Sequence, residues 1–559
     1  MTKNFTILIL IITVISFQIT KADDILSSGK ISGNFQLDAQ YYSKDSIIGA
    51  SDVNEKILSN GFLYINYTNG SFSTGLRYES YLDPILGIDP RFKGSGIGYR
   101  FAEFNTQVID VTVGNFYEQF GSGLIFRAYE DRLLGVDNSI DGIRVKFRPT
   151  NGIDITGLIG NQRNFWQDGS GIIRGGDILL NVNNIFESLL PSTLQLNLEG
   201  SVVSRYQADL QSLYNLPLNV LAYSSKLSVS GSQFLFEGEF GYKQNDPNAT
   251  NNYNFNPGKG LILTASYFPS GFGISFSFHS IDNMDFRSDR DAVGNVSALN
   301  YIPPLTLQHT YRLATLYPYA TQFNGEIGLQ GEITYTIPKE LFGDKYGGTL
   351  LLNYSQVNSI DKTPSVVDTN NQHVYLYDSQ FLKFGDRLYF RDINFEFTKK
   401  WSTRFKSIIS LINLVYDKDV LENQGTAKYG KVKSTVLATE FLYQLTKSNA
   451  IRVELQHIWS KQDSTILVPD NTNGNWLYGL AEYSIAPTWF FSLFDEYNYG
   501  NHDADRKLHY LSASVVYLIG TTRVSFGYGR QRGGLLCVGG VCRPVPASNG
   551  FLLSISSSF

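Results

Sequence analysis

Apolar and polar residues alternate with a period of two along most of the chain. The segment 272–279 reads Phe-Gly-Ile-Ser-Phe-Ser-Phe-His. Because successive side chains of a strand point to opposite faces, this pattern predicts a strand with one apolar, aromatic face and one small, polar face. The same alternation recurs at 143–148, 194–199, 326–335 and 523–528. Each such segment lies within a predicted strand of about ten residues or more, which is long enough for a tilted strand to cross a bilayer.

The connections between these segments fall into two classes. Short turns lie at 68–71, 150–152, 269–271, 399–402 and 519–521, and long polar connections lie at 43–59, 82–98, 119–140, 281–322 and 359–384. A soluble β-sandwich or propeller also has amphipathic strands. A propeller would show a sequence repeat of about 40 residues, and we find no such repeat. Short turns at one end and long loops at the other are typical of bacterial outer-membrane barrels. We therefore predict an all-β fold, a large transmembrane antiparallel β-barrel of about 24 strands (22–26), running from 30–42 to 548–559.

Composition supports this prediction. The 559 residues are 14% aromatic but only 17% charged, against about 25% charged in an ordinary soluble domain. A barrel explains both values, because about half of its strand positions face lipid and aromatic residues form girdles at the interfaces. The formal net charge of -5 gives no basic surface for nucleic acid.

Both ends of the chain indicate an outer-membrane location. Residues 1–22 have the features of a signal peptide, namely Lys3, an apolar run at 5–17 and a small-residue cleavage site, so the barrel would occupy 23–559. The first predicted strand begins near residue 30, which leaves no room before it for a separate plug domain. Phe559 continues the outward phase of Phe551 and is similar to the terminal signal that the barrel-assembly machinery reads. We expect both termini to be periplasmic.

One stretch of sequence carries a family resemblance. It comprises 115–130 (NFYEQFGSGLIFRAYE) and 137–142 (DNSIDG), and further matching pieces are 76–79 and 537–543. These pieces resemble an uncharacterised family of Bacteroidota outer-membrane proteins that is known only as a domain of unknown function. The resemblance implies fold and location, and it brings no assigned activity.

Two long connections are candidates for lumenal elements. The connection 119–140 carries charges of both signs that could pair across the lumen: Arg127, Glu130, Asp131, Arg132 and Asp137. Our hypothesis is an infolded loop that narrows the pore, and the alternative is an ordinary surface loop. The connection 281–322 is long enough to cap the barrel or to dock a partner. Its aspartates do not have the spacing of a calcium loop, so we expect no metal site.

Other candidate residues follow from the strand phase and from the cysteines. Charged side chains expected to line the lumen are Arg77, Glu79, Arg144, Lys146, Arg148, Glu237, Glu239, Glu326, Glu332, Arg452 and Glu454. Their mixed signs predict no simple ion selectivity. Cys537 and Cys542 lie in the last long loop, where an oxidising compartment favours a disulfide.

These observations leave two functions open. The first is a porin-like channel with a loop-constricted lumen, and the second is a non-enzymatic structural subunit of an outer-membrane secretion, assembly or lipoprotein-export complex. The six His residues are scattered without a catalytic motif, so we expect no enzymatic activity and no cofactor. The expected partners are outer-membrane lipid, the assembly machinery during biogenesis, and in the second case another outer-membrane protein.

Overall fold

The computed structural model describes residues 29–186, 189–208, 215–341, 345–369, 372–423, 425–463 and 471–559. The predicted signal peptide, 1–22, lies outside the described residues. In chain order, the first strands are β1 (Lys30–Tyr42), β2 (Ile57–Asn69), β3 (Phe72–Tyr81), β4 (Gly94–Asn105), β5 (Ile109–Phe116), β6 (Gln119–Phe120), β7 (Phe126–Arg127), β8 (Glu130–Asp131), β9 (Val136–Asp137), β10 (Ile140–Thr150), β11 (Ile153–Asn164) and β12 (Gln167–Asn181).

The remaining strands continue in the same order. They are β13 (Gln195–Tyr206), β14 (Asn219–Ser230), β15 (Phe234–Lys243), β16 (Gly258–Tyr267), β17 (Phe272–Asp282), β18 (Glu326–Ile337), β19 (Gly348–Thr369), β20 (Gln372–Lys400), β21 (Phe405–Asp417), β22 (Lys431–Gln444), β23 (Asn449–Asp463), β24 (Trp476–Ile485), β25 (Trp489–Asn498), β26 (Ser512–Ile519), β27 (Thr522–Gln531), β28 (Gly534–Val538), β29 (Val541–Val545) and β30 (Ser548–Ser558).

Twenty-four of these strands form one closed antiparallel sheet, as predicted. Neighbours in the barrel are consecutive in the chain, except that β5 pairs with β10 and β27 with β30 across the short inner strands. The barrel closes where β30 pairs with β1, and Gly33 and Phe559 exchange two backbone hydrogen bonds of 2.9 and 3.0 Å. Closure leaves the sheet without a free edge, which is the condition for a strand-built wall in lipid.

The outer face of the barrel is apolar and exposed. On β17, Phe272, Ile274 and Phe276 are 37%, 42% and 46% exposed, and the residues between them face inward. Exposed apolar side chains recur in this phase on every side of the barrel. A continuous exposed apolar band of this extent is what a barrel presents to lipid.

The two ends of the barrel differ in their connections. Short turns such as 151–152 and 520–521 lie at one end, together with the start of β1 and the end of β30; this is the short-turn end. The opposite, long-loop end carries the connections 117–139, 283–325 and 532–547. The helices are short: α1 (Val182–Ile185) and α2 (Lys418–Asn423), with 3-10 turns at Pro90–Phe92, Ala249–Asn251, Ala314–Leu316 and Ala504–Arg506. In the described ranges, no helix is long and apolar enough to span a membrane.

The segment 359–384 corrects one prediction. We expected a long polar connection between two strands there, but the structure continues β19 and β20 as a paired hairpin past the ends of their neighbours. Pairing with β18 stops at Asn358, and pairing with β21 begins only at Phe390. The hairpin beyond the ring has no lipid-facing side, so its sequence lacks the apolar alternation that revealed the other strands.

The interior of the long-loop end is filled by chain rather than open. Three segments, 119–139, 283–325 and 533–547, together form what we call the lumenal plug. One apolar cluster joins the plug to the inner wall of β5 and β10–β14, through residues such as Phe120, Leu124 and Phe286. A second cluster joins the 305–319 part of the plug to the inner wall of β19–β25. The plug is therefore fastened to two opposite sides of the barrel.

Candidate functional site

The tip of the first plug segment reaches inward-facing carboxylates of the barrel wall. The backbone N–H of Gly121 donates to Glu199 on β13, and that of Ser122 donates to Glu239 on β15, each at 2.7 Å. Gly121 has a φ of +56°, and a side chain there would collide with the Glu239 carboxylate. Only glycine satisfies both the left-handed conformation and this close approach. The segment 119–140 thus lies inside the barrel and not on its outer rim.

Inward-facing glycines of the wall accommodate the apolar side chains of this segment. Leu124 is fully buried against the backbone of Gly241 on β15 and Gly260 on β16, where an added Cβ would lie 2.7 Å from Leu124 in both cases. Phe120 packs in the same way against Gly175 on β12. Because a Cβ at any of these positions would fill the space that the plug occupies, the wall and the plug are complementary in shape.

A buried ion network holds the second half of the same segment. Arg77 on β3 binds Glu79 at 2.8 Å and Glu130 at 2.9 Å, and it also contacts Asp137. Arg163 on β11 binds Glu79 and Asp137 at 2.7 and 2.6 Å. Burial raises the pKa of Asp137, but Arg163 and Arg77 outweigh this effect and hold that pKa below its ordinary value. Two guanidiniums from different strands therefore clamp the plug to the wall.

The other charged residues predicted for this segment also contact the protein itself. Arg132 binds Glu130 at 2.7 Å, donates to Gln36 of β1 at 2.9 Å and lies over the Phe62 ring. Arg127 lies between the rings of Tyr129 and Tyr301, at 4.6 and 4.1 Å from their centroids. Asp131 accepts the N–H of Leu134 at 3.0 Å. All five predicted side chains contact other residues of the protein, and Glu130, Arg132 and Asp137 join the loop to barrel strands. That they narrow a pore stays a prediction.

The second plug segment crosses the lumen and is anchored by polar pairs. His309 binds Asp392 of β20 at 2.8 Å, and Arg312 binds Glu496 of β25 at 2.6 Å. Glu326, at the start of β18, is fully buried; it contacts Tyr319 and binds His279 of β17 at 2.5 Å. Burial of a carboxylate demands such partners. His309 and Arg312 thus join the crossing segment to the barrel wall, and Tyr319 of the same segment supplies one partner of the buried Glu326.

The third segment carries the two cysteines. Cys537 on β28 and Cys542 on β29 are joined by a disulfide within a small hairpin. The tip of this hairpin contacts the crossing segment, since Tyr301 donates to the Gly539 carbonyl at 2.6 Å and Asn295 donates to the Cys542 carbonyl at 2.8 Å. The disulfide hairpin is thus part of the plug.

The other predicted lumen residues lie on the inner face, and most are paired. Lys146 binds Glu118 at 2.7 Å, and Arg148 binds Asp154 at 3.1 Å. The further inward residues and their partners are Arg144 with Glu103, Asp110 and Glu118; Glu237 with Lys226; and Arg452 with Glu440, Glu454 and Glu482. Glu332 lies partly buried on β18. Asp154 remains 49% exposed and Glu482 40% exposed near the short-turn end, so water reaches that half of the lumen.

Several residues of the site were not predicted from sequence. Arg163 is the penultimate residue of β11, and Glu496 is an inward-facing residue of β25 that the strand phase alone would identify. His309, Arg312 and Arg532 lie in connections, where no periodicity reports orientation. Across the described ranges, no group of three or more His, Cys, Asp or Glu side chains is placed to hold a metal ion.

Comparison with known proteins gives a family and a fold. The profile of a family of unknown function, DUF6029, matches residues 1–559. No curated protein matches the chain. Similar solved structures include the siderophore receptor PirA from Pseudomonas aeruginosa, with 9% identity, a TM-score of 0.39 and coverage of 95% of this chain and 80% of that one.

Two further structures are similar at the same level. The translocation pore of the P pilus usher PapC has 8% identity, a TM-score of 0.41 and coverage of 94% of this chain and 99% of that one. OpdQ from Pseudomonas aeruginosa has 8% identity, a TM-score of 0.33 and coverage of 85% and 98%. At these scores the likeness concerns a large barrel in general, and no functional argument rests on it.

Proposed function

We propose that this chain, which belongs to the DUF6029 family and inherits no activity from it, is an outer-membrane channel that its own lumenal plug holds closed in the conformation described. The single observation that carries the proposal is the complementarity of plug and wall, above all the burial of Leu124 against Gly241 and Gly260. Water reaches the half of the lumen at the short-turn end, and the plug separates this half from the long-loop end. The protein acts without enzymatic chemistry, and both termini are periplasmic.

A closed channel requires a plug that can leave its position without unfolding the barrel. The plug is joined to the wall by side chains and by a few backbone contacts, whereas the barrel strands are joined by continuous ladders of backbone hydrogen bonds. Opening the plug would therefore leave every strand pair intact. The Phe559 end of β30, which pairs with Gly33, is the surface through which we expect the barrel-assembly machinery to recognise the chain.

Single-channel recording in planar bilayers tests this function. The refolded full-length chain should conduct weakly and intermittently. A variant lacking residues 122–134 should conduct steadily at a higher level, because Leu124, the Ser122 contact to Glu239 and the Glu130 contact to Arg77 are removed. A matched control replaces 363–378 with a two-residue turn, which shortens the hairpin outside the ring and should leave conductance unchanged. Equal conductance of all three proteins would refute a plug that closes the lumen.

One observation favours a second candidate, a structural subunit of an outer-membrane complex. The hairpin of β19 and β20 continues beyond the pairing with β18 by 11 residues on β19, and its base contacts Asp282 of β17 through Lys362, Tyr377 and Ser379. A paired hairpin of this length at the long-loop end offers a surface to another protein. Native purification followed by mass spectrometry distinguishes the candidates: a stoichiometric partner that is lost from the 363–378 replacement favours the subunit.

A further inference from the structure

A cavity of about 310 Å³ lies at the long-loop end between the plug and the barrel wall. The crossing segment 306–319 forms one side, the inner ends of β1 and β20 form another, and residues 531–548 form the third. This volume is at the lower end of the range for small-molecule sites. The cavity is separate from the contacts of Leu124 and of the Arg77 network, so closure of the plug does not account for it.

Three arginines line this cavity, Arg312, Arg532 and Arg543, together with His309. The described lining residues include no Asp or Glu. His309 is paired with Asp392 of β20 at 2.8 Å, and Asp392 does not line the cavity. The three guanidiniums therefore determine the charge that a solute in the cavity would meet.

Two of the guanidiniums share a single carboxylate. Glu496 is fully buried, and its Oε1 accepts from Arg312 Nε at 2.6 Å while its Oε2 accepts from Arg532 Nε at 3.0 Å. The terminal nitrogens of both arginines donate no hydrogen bond to any described residue. Because one negative charge faces two positive ones, the pair carries an excess positive charge, and the terminal nitrogens keep donors for a further partner.

Arg532 is the more unusual of the two. Its side chain is only 9% exposed, and burial lowers its pKa even though Glu496 acts in the opposite direction. A buried cation that shares its counter-ion is poorly compensated. If the arginines served only to fasten the plug to Glu496, one of them would neutralise that carboxylate, and the second would add an uncompensated charge.

The rest of the lining combines polar side chains, among them Gln40, Gln308 and Gln531, with an apolar group. Leu307, Leu535, Leu536, Tyr319 and Phe390 contribute to it. An occupant that satisfies both parts of the cavity has an oxyanion at one end and an apolar body. Guanidiniums bind carboxylate and phosphate with paired, charge-assisted hydrogen bonds.

We propose that this cavity is a binding site for a small organic oxyanion, whose carboxylate or phosphate is held by Arg312 and Arg532 and whose apolar part lies against the leucines and aromatic rings. The site goes beyond the channel function and does not depend on it, since a barrel that never conducts can still bind the anion. Conductance and binding are therefore separate measurements, and failure of one leaves the other standing.

The test is calorimetric titration of the refolded full-length chain with three probes of one shape: phenylacetate, phenyl phosphate and uncharged benzyl alcohol. We expect saturable binding of at least one of the anions and none of the alcohol. The anion that binds more tightly identifies the oxyanion class, and equal binding means that the site recognises an oxyanion of either kind. Binding of the alcohol at the affinity of the anions would overturn the proposal, because it would show an apolar pocket only.

Variants assign the binding to the arginines. Arg532→Gln should weaken binding about tenfold or more, the effect of one hydrogen bond between charged groups, and Arg91→Gln, an exposed arginine outside the cavity, should not change it. Glu496→Gln provides a gain of function that does not depend on the folding of the first variant, since removing the shared counter-ion should tighten binding severalfold. Absence of saturable anion binding in both the unaltered chain and Glu496→Gln would refute the site, and so would unchanged binding in Arg532→Gln.

Discussion

Truncation of Leu124 to alanine is the most direct test of how the plug is held. Leu124 is 0% exposed and contacts the backbone of two wall glycines. Leu→Ala at a buried position costs about 2–5 kcal/mol, and the cost grows with the cavity that remains. Because Gly241 and Gly260 belong to strands that the closed barrel holds in place, the wall is unable to collapse into the gap. We therefore expect a value in the upper half of that range.

The substitution destabilises the docked position of the plug and not the barrel, because Leu124 is buried only while the plug lies against the wall. The upper half of that range begins at about 3.5 kcal/mol. Every 1.4 kcal/mol is a factor of ten, so the population of released plug should rise by at least about 300-fold. The amides of Gly121 and Ser122 report on it directly, because both donate to wall carboxylates at 2.7 Å. Hydrogen–deuterium exchange at these two amides should accelerate by the same factor, while exchange in the barrel strands stays unchanged.

Leu133→Ala is the matched control, because Leu133 lies in the same plug segment but is 67% exposed. It should leave exchange at both amides within about twofold, as expected of a surface substitution. If Leu124→Ala and Leu133→Ala gave the same exchange rates at Gly121 and Ser122, the packing against the wall glycines would not be what holds the plug. Acceleration throughout the barrel would equally contradict the reasoning, because it would show that plug and wall unfold together.

Three further predictions concern other contacts. Arg163→Met leaves Glu79 and Asp137 in a buried site with one guanidinium fewer, so hydrogen–deuterium exchange over 126–139 should accelerate about 100-fold or more. The control Arg91→Met breaks an exposed ion pair and should change this exchange less than about fivefold. Equal effects of the two variants would refute the role of Arg163 in holding the plug. Replacing Cys537 and Cys542 with serine should remove about 2 kcal/mol of local stabilisation, the chain-entropy value for so short a loop. Exchange in β28 and β29 should become faster while the melting temperature of the barrel stays unchanged. A large fall in that temperature would show that the disulfide stabilises the barrel as well as the hairpin. Burial acts to raise the pKa of Asp419, but the N–H groups of Tyr429, Lys428 and Gly430 outweigh it and hold that pKa below its ordinary value. The connection 418–430 should therefore lose stabilisation as pH falls from about 4 through the lower folded pKa. Asp419→Asn should abolish this dependence in an NMR titration, and the same dependence in the variant would assign it to another group.

The barrel itself could be predicted from sequence because its wall has water on one side and lipid on the other. Those two solvents impose a period of two on each strand, so the alternation in segments such as 272–279 predicts both their conformation and their orientation. The prediction failed where that contrast is missing. The hairpin beyond Asn358 has no lipid face, and its strands carry no alternation that distinguishes them from a polar loop.

The plug could be predicted only in part, because its residues are selected by partners distant in the chain. The mixed charges of 119–140 suggested pairing across the lumen, and the structure does place Glu130 and Asp137 on Arg77, some 60 positions earlier. The sequence, however, does not distinguish Gly241 and Gly260 from other small residues of the inner face. Only the structure shows that they leave the space in which Leu124 packs. Shape complementarity between a loop and a wall leaves no period in the sequence. It follows that a search of related chains for this plug should look for small inward residues on β12, β15 and β16 together with apolar residues at 120 and 124, and not for either set alone.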